Sequence, residues 1–202
     1  MKKLMMIAAM MLMSVGAFAQ NEAGSFTLKP MVGGTLSTLT KLSGKKAKLG
    51  LAAGFEGEYM ATPTIGISAG VIYAMEGTKY ELTGYGADLT YKINNDYLNI
   101  PVLLNAHVAP GLAFKVGVQP AFKVRSEVSA NLKYDGQSAS GSEKLDDVKS
   151  FDFSIPIGLS YEINNIVLDA RYNWGLTKVI NGDDCKNSVF MLTLGYRISF
   201  DY

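Results

Sequence analysis

The 202-residue chain contains one cysteine, one histidine and one tryptophan. A lone Cys185 cannot close an internal disulfide, and a lone His107 cannot build a His-rich metal site. Beyond the first nineteen residues no apolar stretch reaches the ~18 residues that mark a membrane-spanning helix. Charge is scarce and balanced, 19 basic residues against 18 acidic ones, so the footprint that nucleic acid demands is missing. Helical periodicity is almost absent too. If this chain crosses a membrane, it does so with strands.

What is present begins with a leader. Lys2 and Lys3 form a basic n-region, Leu4 to Val15 is an uncharged apolar run, and Ala17-Phe18-Ala19 is a small-x-small cleavage site. Residues 1–19 therefore read as a cleaved secretory signal peptide and 20–202 as one exported domain. Without Lys2 and Lys3 the 19 basic residues fall to 17, against 18 acidic.

The exported part alternates with period 2 in eight runs: 26–36, 49–60, 65–76, 97–108, 111–125, 151–163, 166–177 and 190–202. Each is long enough for a tilted strand crossing of ~9–11 residues. The connections sort into two kinds. Thr62-Pro63, Ala109-Pro110-Gly111 and Asn164-Asn165 are tight hairpin turns. Residues 37–48, 77–95, 127–149 and 178–188 make long polar loops, and long and short alternate strictly. That alternation predicts an all-β, eight-stranded antiparallel up-and-down transmembrane β-barrel, with short turns and both termini on the periplasmic side.

One face of the runs is apolar and almost free of charge. The other mixes small residues with Lys29, Glu56, Glu58, Glu76, Lys115, Lys123, Arg125, Asp152, Glu162, Asp169, Arg171, Arg197 and Asp201. A soluble lipocalin-like barrel would turn its apolar face inward and expose the charges. Small residues beside charges of both signs instead suit the crowded interior of an eight-stranded membrane barrel. These charged residues are thus expected in the lumen, with Lys115, Lys123 and Arg125 directed at acids on neighbouring strands, and Asp152, Asp169 and Arg171 as salt-bridge candidates. Tyr59, Tyr73, Tyr161, Tyr172, Trp174 and Phe200 fall near the ends of the apolar faces, where interfacial girdles need them. Pro30, Pro101, Pro120 and Pro156 lie inside runs, which predicts bulges or lapses in pairing.

No catalytic constellation is visible: His107 has no acidic neighbour in sequence, whereas a triad needs a base with an orienting carboxylate. Gly84-Tyr85-Gly86 and Gly141-Ser142 are too short for phosphate loops, and Asp183-Asp184 cannot supply the 6–8 oxygens that calcium takes. No enzyme activity, metal or cofactor is expected.

Two stretches carry a family resemblance. YLNIPVLL (97–104) and FSIPIGLSYEI (153–163) are similar to the "YLxIPLLL" strand and its later echo in the outer-membrane β-barrel family of Bacteroidetes, the PorT-like group. The resemblance implies an eight-stranded outer-membrane barrel of porin-like type without a known substrate. The terminal alternation Tyr196, Ile198, Phe200, Tyr202 resembles the C-terminal signature by which such barrels are recognised, which implies the barrel-assembly machinery as a partner beside outer-membrane lipid. The functional expectation is a closed or nearly closed polar lumen with a structural or binding role exercised through the outer loops on a partner the sequence does not identify. A narrow porin-like channel lined by Lys115, Lys123, Arg125, Glu56 and Glu58 is the alternative.

Overall fold

In the computed structural model, described residues are 22–40, 45–84, 87–134, 137–144, 149–178 and 185–200. The signal-peptide reading, Asp183-Asp184 and the terminal Tyr202 lie outside them. Eleven strands form: β1 (Phe26–Leu39), β2 (Lys45–Met60), β3 (Ile65–Gly84), β4 (Ala87–Asn99), β5 (Val102–Ala109), β6 (Leu112–Tyr134), β7 (Gln137–Lys144), β8 (Phe151–Ile163), β9 (Ile166–Gly175), β10 (Asn187–Tyr196) and β11 (Ile198–Phe200). All pairings are antiparallel, and β1 pairs with β10 from Met31↔Gly195 to Leu39↔Asn187, which closes the sheet on itself. β4 and β5 share the neighbours β3 and β6 and make one stave, while β10 and β11 make another against β1. The result is a ring of eight staves, with β7 outside it, paired to β6.

The prolines explain the broken staves. Pro101 separates β4 from β5, and Ile100 N–H reaches the Pro120 carbonyl at 2.9 Å. Backbone N–H and C=O of one strand residue point the same way, so the amide that Pro120 lacks falls in that same gap. Pro30 faces the interruption at Arg197, and pairing of β6 with β8 lapses between Val116↔Ile157 and Gln119↔Ser154, opposite Pro156. Asn164 and Asn165 both take positive φ, 48° and 69°, the conformation of a two-residue type I′ hairpin turn.

Face polarity is the reverse of a soluble barrel. Val32, Leu51, Phe55, Ile67, Leu104, Val116, Ile157, Leu168 and Leu192 are exposed, while Thr35, Glu56, Ser68, Asn105, Lys115, Asp169 and Asn173 are buried between them. A lipocalin-like arrangement is thereby ruled out. Aromatics collect at both ends of the apolar belt: Phe26, Tyr59, Tyr161, Tyr196 and Phe200 near the short turns, Phe122, Phe151, Tyr172 and Trp174 near the other end. Phe26 packs on Phe200 at 6.0 Å and Phe122 on Phe151 at 5.6 Å between ring centroids. From Phe151 to Tyr161 a strand rises ~34 Å, roughly 25 Å along the normal at ~40° tilt, the height of an outer-membrane apolar band.

The long connections differ from expectation. Residues 77–84 and 87–95 continue β3 and β4, and 127–134 with 137–144 form a second hairpin, so the stretches read as loops are largely extensions of the barrel wall. β1 runs to Leu39 and β2 starts at Lys45, which shortens the 37–48 loop; of 178–188, Asn187 and Ser188 already belong to β10. Polar composition there misled because a strand beyond the membrane needs no apolar face. Ile157 sits mid-belt: Ile157→Arg is expected to lower stability by ~2–4 kcal/mol in guanidinium unfolding from lipid vesicles, and Phe151→Arg at the girdle by ~1 kcal/mol or less.

Candidate functional site

At the centre of the barrel interior, five charged side chains from four staves form a cage. Lys29 comes from β1, Glu56 from β2, Lys115 from β6, and Asp169 and Arg171 from β9. β1 and β6 lie on opposite walls of the ring, so the two lysines meet across the lumen. Lys115 Nζ donates to Glu56 Oε1 and Asp169 Oδ2, both at 2.9 Å. Lys29 Nζ reaches the same two oxygens at 3.0 and 3.4 Å. Arg171 clamps Asp169 through Nε at 2.8 Å and Nη2 at 2.9 Å, and its Nη2 also reaches Glu56 Oε2 at 2.9 Å.

Taking an ion out of water costs several kcal/mol unless close partners replace the lost hydration. Here each carboxylate is held by three cations, and Arg171, only 1% exposed, is fixed by fork geometry that a lysine could not reproduce. Gly158 permits this crossing: a Cβ there would lie 2.7 Å from Arg171 Cβ and 2.6 Å from the Ala170 carbonyl.

Other charges sit above and below this cage. Toward the short turns His107 Nε2 meets Glu58 Oε1 at 2.9 Å, and Arg197 Nη1 meets Glu162 Oε2 at 2.9 Å. A cavity of ≈ 20 Å³ between them, bounded by Lys29, Glu56 and Lys115, has room for about one water. On the other side, Met31, Ala52, Ile72, Ala74 and Met191 form a buried apolar layer. Beyond it Asp152 accepts from Asn187 Nδ2 at 2.7 Å and from the Thr177 hydroxyl, and Asn99 Nδ2 donates to Glu76 at 3.5 Å. Lys123 faces inward at this rim, half-buried opposite Tyr97.

Arg125 requires a correction. It does not enter the lumen: its side chain is 60% exposed and pairs with Glu127 at 2.6 Å. Between Asp96↔Arg125 and Tyr97↔Lys123 the register slips by one residue, and a slip of one moves later side chains to the opposite face. Lys115 also differs in detail, since its acidic partners stand across the lumen on β2 and β9, not on the adjacent staves. Asp152 belongs to a separate polar layer, not to the ion pairs of Asp169 and Arg171.

Sequence reasoning missed Glu58 as the partner of His107, because 49 residues separate them and only the ring brings them together. Cys185, within the stretch 178–188 expected to be a polar loop, is buried. Among the described residues no group of His, Cys, Asp or Glu is arranged to hold a metal ion.

A family model described as outer membrane protein beta-barrel domain matches residues 18–181. The chain belongs to the outer-membrane β-barrel family. The barrel is also similar to solved structures. Ail of Yersinia pestis, in complex with the heparin analogue sucrose octasulfate, is 19% identical with TM-score 0.47, over 87% of this chain and 99% of Ail. Neisserial surface protein A is 15% identical with TM-score 0.40, over 87% and 97%. The N-terminal barrel domain of Pseudomonas aeruginosa OprF is 13% identical with TM-score 0.39, over 88% and 98%. No curated protein matches the sequence. The family places the barrel in the outer membrane.

The cage makes a stability prediction. Arg171→Gln leaves Glu56 and Asp169 buried without their fork, and the unfolding free energy in vesicles should drop by ~3–5 kcal/mol. A loss under 1 kcal/mol would mean that the two lysines alone satisfy both carboxylates.

Proposed function

We propose that this barrel is closed to solutes and acts through its extended wall, as a structural or binding element of the outer membrane with its short turns and both termini in the periplasm. The observation that carries the reading is the ion cage: Lys29 and Lys115 from opposite walls share the same two carboxylates, and the cavity beneath it is water-sized. An eight-stranded interior is in any case just wide enough for side chains to fill. A porin-like channel would need these ion pairs to part for each passing solute.

The orientation rests on the sorting of connections, since outer-membrane barrels keep short turns in the periplasm and long segments outside. On the outer side β3, β4, β6 and β7 extend as one sheet, a firmer platform for an unidentified partner than free loops. The stretches 97–104 and 153–163 support membership of the PorT-like group. The C-terminal alternation Tyr196, Ile198, Phe200, Tyr202 in the sequence is the signature the assembly machinery reads. Among the described residues no reacting constellation accompanies any of this, and the role we propose is non-enzymatic.

Two measurements test the reading. In planar bilayers the purified barrel should be electrically silent, and reproducible openings whose ion selectivity changes in Lys115→Glu would replace it with the channel. A protease site inserted at 135–136, between β6 and β7, should be cut in intact cells; protection there, with cutting only after permeabilisation, reverses the orientation.

A further inference from the structure

Three lysines stand side by side across the extended wall. Lys46 of β2 pairs directly with Lys79 of β3, and Lys79 pairs directly with Lys92 of β4. Like charges in directly opposed positions repel, so the row concentrates positive charge on one face of the wall. It lies on the barrel's outer face, because β3 and β4 run in unbroken register from the lipid-side pair Tyr73↔Leu98 through Met75↔Asp96 to Lys79↔Lys92. Thr78, between, is fully buried on the inner face.

A second observation is independent of the first. Two strands slip register at this level: β2 between Ala47 and Ala52, and β6 at Val124. By the alternation of the belt below, Lys46 and Arg125 would face inward. Each slip turns a cation outward instead. Lys48, in the slipped stretch of β2, is half-buried and donates its Nζ to the Glu76 carbonyl at 2.8 Å. Among the described side chains the collar thus sets Lys46, Lys79, Lys92 and Arg125 against Asp96 and Glu127. Lys46 and Lys79 make further contacts of their own, so the collar acts through summed charge.

Height identifies what it meets. Tyr73, in the outer girdle, donates to Asp96 at 2.7 Å, which puts Asp96 and Arg125 at the edge of the apolar belt. Four residues further, Lys92 is ~13 Å along the strand and roughly 10 Å along the normal. The polar interfacial layer is ~5–8 Å deep on each side of a bilayer, so the collar spans it, with lysine stems able to lie back toward the belt.

We propose that this collar binds the phosphate groups of an anionic lipid in the leaflet surrounding the long-hairpin end. The assignment of that leaflet to the cell surface rests on the orientation above, whereas phosphate recognition does not. The test uses the full exported chain refolded in neutral detergent and titrated with diphosphoryl lipid A, bound lipid being read by native mass spectrometry. Wild type should hold the lipid, more weakly as salt rises. Lys46→Gln/Lys79→Gln/Lys92→Gln should bind roughly 100-fold more weakly while keeping the heat-modifiable gel migration of a folded barrel; if the triple variant does not fold, Lys46→Gln/Lys92→Gln at the two exposed positions serves instead, with a loss of about 30-fold. Equal binding by wild type and folded variant overturns the proposal. So does equal binding of dephosphorylated lipid A, or displacement of the lipid by soluble polyphosphate at equimolar concentration, which would make the collar a site for soluble anions. Protease accessibility at 135–136 reports orientation separately, so either reading can fail alone.

Discussion

Everything in this molecule depends on the pairing of β1 with β10. A bilayer core offers no water to an unpaired N–H or C=O, and each orphan there costs several kcal/mol. The ladder from Met31↔Gly195 to Leu39↔Asn187 removes the two edges that an eight-stave sheet would otherwise present to lipid. Closure also explains the positions of the prolines. Each removes a donor, and each sits where the neighbouring ladder has already lapsed, at the β4–β5 and β10–β11 breaks or opposite the β6–β8 gap. The defects meet one another, so few backbone groups are stranded.

Closure then dictates the interior. With lipid outside, the apolar half of every strand turns outward and the polar half is forced into a space barely wider than its side chains. A soluble protein could send surplus charge to its surface, but here a charged residue on the inner face must find partners in the lumen: opposite charges for the cage, amide and hydroxyl donors for Asp152 and Glu76. That is why Lys29 and Lys115, on opposed walls, converge on Glu56 and Asp169. The cage follows from placing five ions at the middle of a tube with no bulk water. The apolar layer of Met31, Ala52, Ile72, Ala74 and Met191 beside it shows that the tube is filled where charge is absent too.

Much of this was legible in the sequence because lipid enforces period 2 strictly. The strand 151–163 and the turn at Asn164-Asn165 follow from alternation and turn chemistry alone, and the run 166–177 overshoots β9 by two residues. The inward set was legible in kind but not in pairing. Nothing near Lys115 in sequence names Asp169, 54 residues away, or Glu56, 59 away; only the ring supplies those contacts. The wall extensions were illegible for a different reason. Residues 77–84, 87–95, 127–134 and 137–144 continue strands beyond the apolar belt, where no lipid enforces alternation and a strand has the composition of a loop.

Arg125 shows where period 2 stops being a reliable guide, and why there. A one-residue slip inside the belt would swap the faces of the rest of the strand, carrying groups like Lys115 or Asp169 into lipid at ~2–4 kcal/mol for each basic residue near the midplane. The same slip beyond the girdle transfers charge from one wet face to another at little cost. The register slips of β2 and β6 both lie at the long-hairpin end of the apolar belt, at Ala47/Ala52 and beside Val124. Alternation holds as long as lipid is there to penalise its failure, so its first breaks along β2 and β6 mark the upper edge of the membrane.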